Sequence, residues 1–143
     1  MLPSLQPGQL LLVNRTAFWF GGPHRGDLVV FRAPTGPARD FVKRVVGLPG
    51  DSVLVDSGRV EVNGQALDEP YIRFQASYSY PANGQEVVVP PGQYFVLGDN
   101  RPNSRDSHFG WFVPAANLVG RAWVSYWPPA DWGFAPNVGY ATP

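Results

Sequence analysis

The chain has 143 residues, eleven acidic and eleven basic side chains, zero formal net charge and no cysteine. A chain of this length can fold as one domain and bury roughly 70% of its unfolded surface without a staple. Disulfides and thiol chemistry are excluded, and the balanced, scattered charge speaks against a nucleic-acid partner. No apolar run reaches ~18 residues, so no transmembrane helix is expected. The opening Met1-Leu2-Pro3-Ser4-Leu5-Gln6-Pro7-Gly8 carries two prolines and no basic segment, unlike a signal peptide. His24 and His108 lie far apart and no carboxylate spacing completes a site, so neither metal nor cofactor is expected.

Strand signals dominate. Gln9–Asn14 is the first, then Asp27–Arg32 and Asp40–Val46, joined by the Pro/Gly-rich 33–39 stretch that suits a hairpin loop. Val53–Val55, Arg59–Val62 and Gln65–Leu67 follow, the last two flanking Asn63-Gly64, the strongest short hairpin signal. A second Asn-Gly at 83–84 precedes Glu86–Val89, and Gln93–Leu97 and Val119–Trp127 complete the set. That makes about nine strands, with no helical periodicity beyond a turn or two near Pro114–Leu118. The class is all-β. The Trp- and Pro-rich 127–143 tail is expected to pack down onto the rest.

Two stretches carry chemistry. The first is Asp40-Phe41-Val42-Lys43-Arg44-Val45-Val46, which holds the only lysine in a chain that otherwise uses arginine. A lysine in a strand ordinarily faces solvent or guards an edge. Alternation, however, puts Lys43 on the face of Phe41 and Val45, with Arg44 on the other. Desolvation there lowers an amine's pKa and lets it act as a base, which a guanidinium cannot do. The second is Gly98-Asp99-Asn100-Arg101-Pro102-Asn103-Ser104-Arg105-Asp106-Ser107-His108, a polar loop that is either solvated or a scaffold of hydrogen bonds.

Taken with Met1–Gln9, Arg25–Phe31, Leu48-Pro49-Gly50-Asp51 and Phe112-Val113-Pro114, these stretches resemble the bacterial type I signal peptidases, in the family's order from Met1 to about Trp127. The resemblance implies an all-β catalytic core, barrel- or sandwich-like, over 1–52 and 91–143 with a small β lobe inserted at 53–90. It implies a serine endopeptidase with a Ser-Lys dyad that cuts after small-x-small motifs such as Ala-x-Ala. Lys43 matches the general base. Ser104 matches the hydroxyl that positions it, and Asp99, Arg44 and Asp106 match scaffold residues. Leu5, Leu11, Val30, Asp40 and Val42 match the walls of the pockets for small side chains. Signal peptides would bind as an added strand. The whole protein would be anchored in the bacterial plasma membrane, with this part, itself soluble, on the extracytoplasmic face.

The family's nucleophilic serine stands immediately before the position of Met1, and a side-chain oxyanion donor lies further upstream. The chain as written is therefore expected not to cleave peptides; loss of one oxyanion donor alone costs about 10² to 10³ in rate. Ser4 replaces a usual threonine and is not expected to be the nucleophile. Gln9 stands for a common aspartate, Gly110-Trp111 inverts a usual order, and His108 replaces a common arginine, which would weaken an ion pair to Asp106. Phe18, Trp19 and Phe20 are candidates for touching the membrane surface, although aromatics more often fill cores. Two other readings compete: a self-cleaving repressor-type Ser-Lys domain and a non-catalytic peptide-binding β-module.

Overall fold

The computed structural model describes residues 1–140. Its strands are β1 (Leu10–Asn14), β2 (Leu28–Arg32), β3 (Asp40–Gly47), β4 (Ser52–Asp56), β5 (Arg59–Val62), β6 (Gln65–Ala66), β7 (Val87–Val88), β8 (Gln93–Leu97), β9 (Val113–Pro114), β10 (Leu118–Trp127) and β11 (Gly133–Phe134). Every pairing is antiparallel. The only helical pieces among the described residues are 3₁₀ turns of three residues each, at Arg101–Asn103, Ser107–Phe109, Ala115–Asn117 and Pro129–Asp131. The all-β class read from the sequence is the class of the structure.

A seven-stranded sheet runs β1-β10-β2-β3-β8-β9, with β11 added to β10. The first half of β10 pairs with β2 and its second half with β11. A four-stranded sheet runs β6-β5-β4-β7. Its central turn is the one Asn63-Gly64 demands: both residues have positive φ, 52° and 75°, and Val62 faces Gln65 across it. The 33–39 loop likewise closes a hairpin in which Arg32 faces Asp40.

Both faces of the large sheet are covered. On one, Val29, Phe31, Val45, Tyr94, Val96 and Val113 cluster with Phe18, Phe41 and Trp111 against them. On the other, Leu5, Leu28, Ala122 and Ala135 meet Met1, Leu11 and Val42. A third cluster joins Val46, Phe95 and Leu97 of the large sheet to Val53, Val55, Val60, Val62 and Val89. The small sheet is therefore packed into the same apolar interior as the strand that carries Lys43. After β11, the chain returns across the second face: Val138 N–H donates to Gly26 O at 3.2 Å and Leu28 N–H donates to Asn137 Oδ1 at 2.8 Å.

Candidate active site

β3 sets Lys43 opposite Val29, on the face of Phe41 and Val45. The amine reaches past the strand to donate to Ser104 Oγ at 2.7 Å, and it lies 5.7 Å from the centre of the Phe41 ring. Lys43 is half-buried, not sealed. Burial lowers its pKa from the ordinary lysine value, opposed by the charges of Asp106 and Asp99. The amino group of Met1 shares this environment. Burial and the charge of Lys43 lower its pKa while Asp99 raises it.

Ser104 follows the Arg101–Asn103 turn in extended conformation. It can approach Lys43 because residue 98 has no side chain: a Cβ there would stand 2.0 Å from Ser104 Oγ and 3.2 Å from Lys43 Nζ. Gly98→Ala is expected to push Ser104 off the amine and to cost about 1–3 kcal/mol of overpacking. Urea unfolding and a crystal structure of the variant check this; an intact 2.7 Å bond at unchanged stability would refute it.

Arg44, on the opposite face, is fully buried with Asp99. The pair is bidentate, Nε to Oδ1 at 2.9 Å and Nη2 to Oδ2 at 2.7 Å. Arg44 Nη1 also donates to the carbonyls of Gly26 and Pro136, each at 2.8 Å. Ser4 donates its hydroxyl to Asp99, so its one strong partner is the scaffold carboxylate. Asp106 is buried too. Its Oδ2 accepts the Gly98 N–H at 2.8 Å and its Oδ1 lies 2.6 Å from His108 Nδ1, so histidine at 108 keeps a contact to this carboxylate.

A cleft of about 370 Å³ opens between the N-terminal segment, Val42 of β3 and the loop that leads to Ser104, lined by Met1, Leu5, Gln9, Leu11, Val42 and Asn103 among others; Lys43 itself is not one of its walls. Three of the five predicted substrate residues, Leu5, Leu11 and Val42, are among its walls. Val30 and Asp40 are not. Val30 is the cross-strand neighbour of Val42 and only 7% exposed; Asp40 sits at the exposed start of β3 opposite Arg32. A larger hollow of about 750 Å³, lined by Arg15, Phe18, Trp19 and Tyr94, includes none of the predicted site residues. Of the three aromatics singled out, Phe18 packs on the core while Trp19 and Phe20 are 71% and 101% exposed.

Sequence reasoning missed the shell behind the scaffold. Arg101, 1% exposed, donates from Nε to Gly98 O at 3.1 Å and pairs with Glu69 from the β6–β7 connection. The Tyr71 ring lies under the Arg44 guanidinium, 4.2 Å from Cζ. Asp68-Glu69-Pro70-Tyr71 has the look of a solvated turn, and no local pattern announces a partner 32 residues away.

An all-β scaffold here sets a half-buried lysine amine against a serine hydroxyl, a pairing of the kind that lysine-assisted serine hydrolases use. Residues 1–127 match the family described as signal peptidase, peptidase S26. The chain is 45% identical over 136 residues to a signal peptidase I of Leptolyngbya laminosa, covering 90% of this chain and 64% of that protein. It is 44% identical over 148 residues to a probable signal peptidase I-2 of a Synechocystis strain, covering 99% and 63%. A crystal structure of a signal peptidase I from Enterococcus faecalis V583 superposes with a TM-score of 0.60 at 33% identity, over 70% of this chain and 96% of that one. The chain belongs to the signal peptidase I (peptidase S26) family of serine endopeptidases. It spans just under two thirds of the length of the Leptolyngbya and Synechocystis relatives.

Proposed function

We propose that this chain carries the catalytic base, scaffold and substrate cleft of a signal peptidase that cuts exported proteins after small-x-small motifs. The nucleophile is a serine joined directly to Met1. The observation that carries this is the Lys43–Ser104 bond of 2.7 Å, with Met1 on the walls of the cleft that Val42 and Asn103 also line. A serine linked to the Met1 nitrogen would stand next to a half-desolvated amine. Neutral Lys43 uses one N–H on Ser104, which turns its lone pair toward the incoming hydroxyl. The serine oxygen adds to the scissile carbonyl as its proton passes to Lys43, and the same proton then goes to the departing amine.

The route for substrate is supported by β3. Its second half pairs with β8 from Arg44 onward, whereas Asp40–Lys43 pair with β2 alone. The free edge lies alongside the Val42 cleft and would accept an extended peptide as a further strand. Leu5, Leu11 and Val42 would receive small side chains, with Val30 behind Val42 and Asp40 at the upstream end. Small residues suit a shallow cleft that Leu5 and Leu11 partly fill.

No helix among the described residues is long and apolar enough to cross a membrane. The proposed setting is the extracytoplasmic face of the bacterial plasma membrane. Exposed Trp19 and Phe20, and the band formed by Trp127, Trp132 and Phe134 at the β1–β10–β11 end, would meet the lipid interface.

The test is to join a Ser-containing segment to Met1 and to assay an Ala-x-Ala peptide. Cleavage is expected, with kcat/KM rising as pH rises. Because burial lowers the pKa of Lys43, the acid limb should have its midpoint below the ordinary lysine value of about 10.4. A folded, extended protein with no cleavage at any pH would defeat the proposal.

A further inference from the structure

The peptide of Gly98 is held at both ends. Its N–H donates to Asp106 at 2.8 Å and its carbonyl accepts from Arg101 Nε at 3.1 Å. This is the residue against which Ser104 and Lys43 are packed: a Cβ on it would stand 2.0 Å from Ser104 Oγ and 3.2 Å from Lys43 Nζ. Arg101 does not choose its own orientation. Its remaining nitrogens are gripped by both oxygens of Glu69, Nη1 to Oε2 at 3.1 Å and Nη2 to Oε1. Both side chains of this pair are nearly buried, at 1% and 6% exposure.

Glu69 is fixed in turn. Tyr71 donates its hydroxyl to Glu69 Oε1 at 2.7 Å, and the Tyr140 hydroxyl meets that of Tyr71. Burial, reinforced by Glu69, raises the pKa of Tyr71, and burial pushes that of Tyr140 up to about 12, so both phenols stay protonated and can donate along this chain. The same Tyr71 supports the Arg44 guanidinium that binds Asp99.

We propose that Glu69, carried by the connection between β6 and β7 of the small sheet, is a positioning residue for the amine–hydroxyl pair. It acts through Arg101 on the Gly98 carbonyl. The small sheet then does more than enlarge the apolar interior: it delivers a carboxylate that sets the loop against which Lys43 and Ser104 meet. This inference rests on the proposed Ser-Lys chemistry for its kinetic consequence but not for its structural one, and the two are separable by experiment.

Lys43 is the sole lysine, so ¹³C-labelled lysine gives a single side-chain signal whose titration can be followed in the chain as it stands. In Glu69→Ala, Ser104 should drift from the amine and Lys43 become better solvated. Its midpoint is expected to rise by about 1 pH unit, a tenfold change in the deprotonated fraction at fixed pH. In the serine-extended protein, kcat is expected to fall about 10- to 100-fold with KM nearly unchanged, since misplacement of the reacting groups by an ångström costs on that order. Glu69→Gln keeps one of the two acceptor oxygens that Arg101 uses and should restore part of both. It also serves as the informative variant should Glu69→Ala fail to fold.

A folded Glu69→Ala with the parent Lys43 midpoint overturns the proposal. So does a variant that merely melts earlier while midpoint and kcat hold. If Lys43 moves as expected but the extended parent cleaves nothing, the positioning role stands and the peptidase reading falls.

Discussion

Lys43→Arg in the serine-extended protein is expected to lose about 10²- to 10⁴-fold in kcat/KM, the usual contribution of a positioned general base. Arginine keeps the positive charge, the donors and most of the aliphatic stem, and it can still reach Ser104. What it lacks is a neutral form at accessible pH. The substitution therefore isolates proton acceptance from charge. Lys43→Met is the complementary variant, since it keeps the stem against Phe41 and removes the nitrogen. Both should fold, because among the described residues the half-buried amine has only Ser104 as a hydrogen-bond partner. Equal melting curves with cleavage lost in both place the effect in proton transfer. An arginine variant that keeps more than about a tenth of parent activity would remove Lys43 from the mechanism.

Asp99→Ala should be the most damaging change to stability, at about 3–5 kcal/mol, the range for removing one partner of a buried ion pair. The Arg44 guanidinium has no exposure and Asp99 has none. Without the carboxylate, a full positive charge stays in the interior, and among the described residues it keeps the Gly26 and Pro136 carbonyls, the Ser4 hydroxyl and the face of the Tyr71 ring but no counter-charge. Replacing both partners, as Arg44→Met with Asp99→Leu, should recover part of the loss and not all of it. The buried charge is gone, but two backbone carbonyls lose their donor. Urea denaturation of the three proteins decides the matter. An Asp99→Ala protein within 1 kcal/mol of the parent would mean that water reaches Arg44 by a route the buried geometry excludes.

Much of this arrangement is legible in the sequence, and the limits have physical causes. Alternation along β3 gives the face of Lys43, because Phe41 and Val45 fix the phase. It puts Arg44 on the other face but does not say whether that face is wet. It is dry, because Leu5, Ala122, Ala135 and the returning 136–140 segment cover it, and those contacts span most of the chain. The hairpins at 33–39 and 63–64 follow from local turn chemistry. The two-residue strands β9 and β11 do not, since two residues cannot display a period of two. Leu5, Leu11 and Val42 share the walls of one cleft, while Glu69 and Tyr71 meet partners far along the chain that no window of sequence contains.

The segment that crosses the second face after β11 has a consequence for how the protein is born. Pro136 supplies a carbonyl to Arg44, Asn137 caps the first amide of β2 over a separation of 109 residues, and Tyr140 closes on Tyr71. During synthesis these residues leave the ribosome after everything they stabilise. The guanidinium that organises Asp99 thus waits for residues made after β11 before its shell is complete, and pairings across so long a separation form slowly. The buried cation keeps a donor open until the segment after β11 has crossed the second face and Pro136 has reached it.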